Sequence, residues 1–379
     1  MQVNVGDLPV WKGVQNKPGF THLPFTLGTS RGLIRQVLSP SELDRITEEY
    51  SKDSYTFITS PPGTSSWGNR RGDLYFDMLA KQVGTLVGKT VLEIGSGTLY
   101  IAERVINELN ATHFVACDPA LGSKPSIKNL EVVREYFAKR LFSYQSFDLI
   151  LSISNLEHIR DPFEHLAHVC RLLEDKNGFL YLVVPDCSRG LRTGDIGICV
   201  HEHLSYFTPE TLTSLLGSCG FVTNWIHTQD DTIFALAQPA AAAPQEPESS
   251  EISDALLNGF QSQLSRNLEM AQRLISTHKD KARLAIHGCN VCLNNVFGLL
   301  GIQSDSNIFL FDGDFSKVGK YLPTFDKPIM TATDNCYKTM QTVIVAGLTF
   351  YDEIRKFVVN NHNIPIGCIY PIMPLHENS

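Results

Sequence analysis

The chain has 379 residues, 43% of them apolar, which is more than one core usually organises and too apolar for a disordered polymer. Forty Asp+Glu against 32 Lys+Arg leave a formal charge of −8, which disfavours nucleic acid as a partner and favours small-molecule chemistry. The segment Met1–Asp7 has no basic or apolar leader character, no apolar run approaches the roughly 20 residues of a membrane span, and nine cysteines scattered from Cys117 onward do not resemble a disulfide framework. The expectation is a cytoplasmic protein with reduced thiols.

Residues 1–70 are rich in proline and glycine and are read as an N-terminal extension or cap. Their best helix spans 40–50, with Ser39 as its cap and Pro40 in the first turn, and 60–66 reads as a loop. Beyond it, apolar runs at 90–94, 113–117, 147–152 and 179–184 have the length and spacing of strands in a mostly parallel sheet. Helices are expected over 100–109, 162–173 and 210–216. This core, 71–238, ends where Pro239, Pro244 and Pro247 interrupt an alanine-rich linker, 239–251. A long helix over 252–277 then precedes strands at 284–287, 308–311, 342–345 and 366–369, a second and smaller α/β domain covering 252–379.

The chemistry concentrates at strand ends. Val91–Ile94 runs into Gly95-Ser96-Gly97-Thr98, where two glycines permit a sharp turn and a close approach of ligand to backbone. A third glycine is missing, and Glu93 stands two positions before the first, a pattern better suited to a cationic amino-acid ligand than to a pyrophosphate. The next strand ends at Asp118-Pro119, where a carboxylate can receive both hydroxyls of a ribose. The strand over 147–152 leads to Ser154, Asn155 and His158, again at the carboxyl edge of the sheet, and Phe142, Ser143 and Tyr144 stand just before it as candidates to flank a purine. A fourth cluster, His201-Glu202-His203 followed by Tyr206, carries proton-transfer groups toward the same crevice. As metal ligands, His201 and His203 are poorly spaced, and no metal is expected.

Taken in order, these motifs resemble class I S-adenosylmethionine-dependent methyltransferases over residues 70–238. The resemblance implies an α/β fold with a Rossmann-like core and a second, smaller Rossmann-like C-terminal domain. It implies S-adenosylmethionine as cofactor, held by Glu93, Gly95, Ser96, Gly97, Asp118, Pro119, Ser154 and Asn155. The loop 201–207 is similar to that of nucleotide-sugar C-methyltransferases, as are Ile286–Asn290, Phe311–Pro323 and Lys327–Ile329. That likeness makes His203 the general base, with Glu202, His158 and Tyr206 beside it in the catalytic set.

Two features depart from that subfamily. Its N-terminal zinc domain rests on paired cysteines, whereas no cysteine precedes Cys117 here, and the tyrosine before its His-Glu-His run is Val200. Tyr55, Trp67 and Tyr206 are aromatic substitutes. Arg70 and Arg71 are candidates to meet a substrate diphosphate, and together with Tyr55, Trp67 and His201 they form the expected acceptor site. In the C-terminal domain Gly288 lacks a second glycine two residues later, so that domain is expected to shape the acceptor cleft or mediate self-association rather than bind a dinucleotide. Cys289 and Cys292 are read as buried thiols. The expected activity is methyl transfer to a small polar acceptor, such as a nucleotide-linked keto sugar, by a monomer or homodimer without nucleic-acid or membrane partners. O- or N-methylation of another metabolite and a non-catalytic S-adenosylmethionine-binding scaffold are the alternatives.

Overall fold

The computed structural model describes residues 1–51, 62–121, 127–241 and 251–375; Tyr55 and most of the linker lie outside them. The chain opens with three antiparallel strands that composition alone did not suggest, β1 (Gln2–Pro9), β2 (His22–Ser30) and β3 (Leu33–Gln36). Their alternation is nevertheless regular: Val3 and Val5 on β1, and Leu23, Phe25 and Leu27 on β2, all point inward. Helix α1 (Pro40–Ser51) is capped reciprocally, since Ser39 Oγ accepts the Glu42 amide while the Glu42 carboxylate accepts the Ser39 amide at 2.7 Å.

Helix α2 (Ser66–Val83) leads into the central sheet through β4 (Thr90–Ile94), α3 (Tyr100–Glu108), β5 (His113–Cys117), β6 (Leu130–Val133), β7 (Leu149–Ile153), α4 (Pro162–Glu174) and β8 (Phe179–Pro185). After α5 (Ser188–Thr193), the two-residue strand β9 (Ser205–Tyr206) and α6 (Pro209–Ser218), the hairpin β10 (Phe221–Gln229) and β11 (Thr232–Pro239) completes it. The strand order is β10-β11-β8-β7-β4-β5-β6, with β11 alone running against the rest. From β4 the chain winds outward to β5 and β6, then returns to β7 on the other side of β4. The point of reversal, between β4 and β7, is where open α/β sheets leave a crevice at their carboxyl ends.

The C-terminal part comprises α7 (Glu251–Lys279), β12 (Leu284–His287), α8 (Val291–Leu300), β13 (Ile308–Asp312), β14 (Met330–Thr331), β15 (Thr342–Val345), α9 (Tyr351–His362) and β16 (Ile369–Pro371). Its five strands are parallel, in the order β14-β13-β12-β15-β16. The last strand begins at Ile369 rather than 366, because Pro365 leads into a single turn of 3₁₀ helix over Ile366–Cys368. Cys289 and Cys292 are buried as free thiols. No helix among the described residues is long and apolar enough to cross a membrane.

The N-terminal strands are built into the rest of the molecule. Val3, Leu8 and Phe25 share one apolar core with Leu257 and Phe260 of α7 and Phe297 of α8. Strand β3 pairs with β9, so Ser205–Tyr206 of the histidine-bearing loop becomes the fourth strand of the N-terminal sheet. That pairing positions the loop.

Candidate active site

The turn after β4 runs through a series of left-handed backbone conformations. Gly95, Gly97 and Leu99 have φ of 79°, 54° and 66°, and Ser154, across the reversal point at the end of β7, has φ of 48°. A Cβ on Gly95 would stand 3.0 Å from the Asn155 side chain, so the two strand ends approach as closely as a glycine allows. Asp118, at the end of β5, closes the turn from the other side: its carboxylate accepts the Gly97 amide at 3.0 Å and the Ala120 amide at 2.7 Å. Pro119 continues that bend at partial burial.

Glu93 sits beneath this turn with only 2% exposure, and one of its carboxylate oxygens has no hydrogen-bond partner. Burial, reinforced by the nearby Asp118 and opposed by Ser96, pushes its pKa up to about 8. The Ser96 hydroxyl donates to the Glu93 carbonyl at 3.1 Å and fixes the local backbone. A buried, unpaired carboxyl is a destabilised group until a cation meets it. The fit is to a positively charged ligand lying along the turn.

Directly after Asn155, a second cluster forms around the 3₁₀ turn Leu156–His158. The Leu204 amide donates to the Glu157 carbonyl at 2.7 Å, which ties the loop 200–206 to this turn. Arg35 of β3 holds the same junction, donating to the carbonyls of Leu204 at 3.3 Å and Arg160 at 2.7 Å. With its amide nitrogen turned toward the loop, Gln36 donates to the carbonyls of His201 and His203 at 3.0 and 3.1 Å. As a result the His203 ring lies 5.0 Å from that of His158, and ligand atoms of Glu157, His158 and His203 lie within 4.8 Å of one another.

Burial lowers the pKa of His203 well below that of a free histidine and raises that of Glu202. His158 Nδ1 donates to the Glu202 carbonyl at 3.0 Å, which leaves its Nε2 unprotonated in the neutral ring and 3.8 Å from Glu157 Oε1. Glu157 was not among the residues singled out from the sequence. It is 2% exposed, one carboxylate oxygen is without a partner, and burial pushes its pKa up to about 8 against the weaker pull of Arg71.

Other expected site residues are placed differently. His201 is 1% exposed: Nε2 donates to the Leu23 carbonyl at 3.2 Å and the ring meets Phe25 edge-on, so it pins the N-terminal sheet rather than facing an acceptor. Its two-residue spacing from His203 on an irregular loop sends the two rings to different neighbours. The buried Tyr206 hydroxyl donates to the Val200 carbonyl at 3.1 Å and braces the loop. Phe142 packs inside against Phe137 and Phe147, while Tyr144 is fully exposed, so this pair does not frame a ligand together.

Of the α2 residues, Arg71 bonds the Tyr75 hydroxyl at 3.0 Å and is near enough to Glu157 to act on its charge. Arg70 pairs with Glu353 at 3.7 Å on an exposed surface, and Trp67 meets Phe350 edge-on at 4.9 Å. These contacts bring the C-terminal part against α2, and the 2.6 Å bond from the Thr349 hydroxyl to Asp231 brings it against the β10–β11 turn.

Residues 67–224 match the family model described as a methyltransferase domain. The C-methyltransferase NovU of Streptomyces niveus is 28% identical over 205 residues, covering 50% of this chain and 46% of that protein. The tRNA U34 carboxymethyltransferase of Shewanella piezotolerans is 28% identical over 185 residues, covering 43% of this chain and 53% of the relative. The chain spans about half the length of these curated relatives. Among solved structures, a SAM-dependent methyltransferase from Aquifex aeolicus aligns with a TM-score of 0.35 at 15% identity, over 44% of this chain and 89% of that one. CalO1, a methyltransferase in calicheamicin biosynthesis solved with SAH bound, aligns with a TM-score of 0.36 at 14% identity, over 53% and 59%.

Proposed function

We infer from a chain whose residues 67–224 form a methyltransferase domain of the class I, S-adenosylmethionine-dependent type that it methylates a small polar acceptor at the mouth of the β4–β7 crevice. The observation that carries this reading is the unpaired, buried Glu93 carboxyl beneath a glycine turn with no room for a side chain at Gly95. When bound, S-adenosylmethionine supplies an activated methyl group on a cationic sulfur.

The chain's own residues supply the rest. Glu93 offers a carboxylate to the cationic ligand, Asp118 and Pro119 border its ribose, and Gly95, Ser96, Gly97, Ser154 and Asn155 line its length. His203, kept neutral by burial, presents an imidazole lone pair that takes the acceptor's proton, and Glu202 and Glu157 offset the charge of the imidazolium so formed. His158 orients this group through its contact with the His203 ring. Arg71, and Arg70 and Trp67 at the C-terminal contact, border the acceptor's entry. A nucleotide-linked keto sugar suits this set, its diphosphate meeting the arginines and its acidic C–H meeting His203. The C-terminal part closes one wall of the cleft, and the protein works in the cytoplasm as a monomer or homodimer.

A tRNA acceptor fits less well, because a net charge of −8 opposes a phosphate backbone. The test is mass spectrometry of a nucleotide-sugar panel after incubation with cofactor, looking for a gain of one methyl group. Loss of isotope from the acceptor carbon during turnover supports C-methylation; retention assigns the methyl to oxygen or nitrogen instead. Absence of any product across sugars and simple hydroxyl or amine acceptors, with the cofactor bound, supports a non-catalytic role.

A further inference from the structure

We propose that Glu157, His158 and His203 form a binding site for a divalent transition-metal ion of the zinc class, with an open coordination position facing the acceptor crevice. Two imidazoles and one carboxylate are a donor set that such ions accept, and three protein ligands leave room for a fourth from solvent or substrate. The three donor atoms are already within 4.8 Å of one another. Ligands about 2.1 Å from one tetrahedral ion stand about 3.4 Å apart, so the donor atoms must close by up to about 1.4 Å, within reach of side-chain rotations.

Two further observations point to an ion. His158 is held as metal-ligating histidines are held: Nδ1 donates to a backbone carbonyl, that of Glu202 at 3.0 Å, which aims the Nε2 lone pair at the cluster. Glu157 is 2% exposed, yet its Oε2 has no partner within the protein. A buried carboxyl oxygen without a protein partner beside two imidazoles is a donor available to a cation. The loop that brings His203 to the other two is fixed by backbone bonds, Leu204 amide to Glu157 carbonyl and His203 amide to Val200 carbonyl, so the ligands converge without needing the ion to assemble them.

One consequence rests on the reading of His203 as the base. A lone pair that binds the ion cannot also take a proton, so loading the site silences methyl transfer, and metal availability regulates the same crevice.

The probe is Co²⁺, added to the full-length chain in the absence of cofactor and acceptor. The expected result is one ion per chain with the visible bands of a nitrogen- and oxygen-ligated site and no thiolate charge-transfer band, displaced by one equivalent of Zn²⁺. Glu157→Gln and His158→Ala should each weaken binding at least tenfold, and circular dichroism shows whether each variant is folded. His203→Ala is the third variant, so the site can be tested even if one of the others does not fold. No ion bound, a thiolate spectrum, or affinities unchanged in folded variants would overturn the proposal. Turnover separates it from the reading of the base: inhibition on loading supports both, whereas activation on loading retains the metal site and overturns His203 as base.

Discussion

Asn155 fills the space that a side chain on Gly95 would need: a Cβ there would lie 3.0 Å from the Asn155 carboxamide, and the Gly95 backbone has φ of 79°. The ends of β4 and β7 are thereby drawn together at the sheet's point of reversal. Replacing Gly95→Ala combines a steric conflict with a left-handed backbone that costs an L-residue about 1–2 kcal/mol. The variant is expected to fold but to bind S-adenosylmethionine about tenfold or more weakly. Adding Asn155→Ala removes the two 3.0 Å carboxamide contacts but leaves its own Cβ 3.1 Å away and the backbone cost, so affinity in the double variant should recover in part relative to the sum of the single changes. Calorimetry on the four proteins of the cycle checks this.

Glu93 makes binding depend on pH. Its carboxyl holds a proton up to about pH 8 in the unliganded chain, and a cationic ligand favours the carboxylate. Cofactor binding should release protons near pH 7, and affinity should rise as pH approaches 8. Glu93→Gln should weaken binding and reduce the released proton count. Titrations in buffers of different ionisation enthalpy measure that count, and an equal count in wild type and variant would refute the assignment.

The same two buried carboxyls shape stability. In the unfolded chain Glu93 and Glu157 titrate near 4.5, whereas folding moves each up to about 8, so the folded chain holds more protons between those values. The contribution of these two carboxyls to the stability of the unliganded protein therefore falls as pH rises from about 4.5 to 8, whereas His165, His201, His203 and His287, whose pKa values burial lowers, add stability as pH rises toward about 6.5. Thermal melts of wild type and Glu157→Gln at pH 5 and pH 8 should show a smaller loss in the variant.

His203→Ala should lower turnover by roughly 10²–10⁴, the usual range for loss of a general base, while leaving cofactor affinity within about twofold. His201→Ala should behave in the opposite way. Its ring bonds the Leu23 carbonyl at 3.2 Å inside the N-terminal sheet, so its loss should destabilise the protein by about 1–3 kcal/mol. Comparing turnover with melting temperature in the two variants distinguishes the roles.

The inner strands of the central sheet were legible because they are short apolar runs punctuated by turn residues: 90–94 and 113–117 coincide with β4 and β5, 179–184 falls within β8, and in the C-terminal sheet 284–287 coincides with β12, whereas β6, β10 and β11 were not expected. The glycine turn and Asp118 were legible for the same local reason. The N-terminal strands were passed over although Val3, Val5, Leu23, Phe25 and Leu27 alternate as an inward face should, because the surrounding prolines and glycines read as loop. Glu157 was missed because nothing local marks it: its significance lies in burial and in the approach of His203 from 46 positions away, which depends on β3–β9 pairing. Likewise, the different surroundings of His201 and His203 follow from the sheet that covers one of them, a long-range contact that spacing along the chain does not encode.

Isothermal titration calorimetry of the folded wild-type chain with S-adenosylmethionine and its demethylated product addresses the central claim directly. One ligand per chain is expected, with binding weakened at least tenfold by Gly95→Ala. An intact fold giving no heat of binding with either ligand across several temperatures, or binding unaffected by Gly95→Ala, would contradict it.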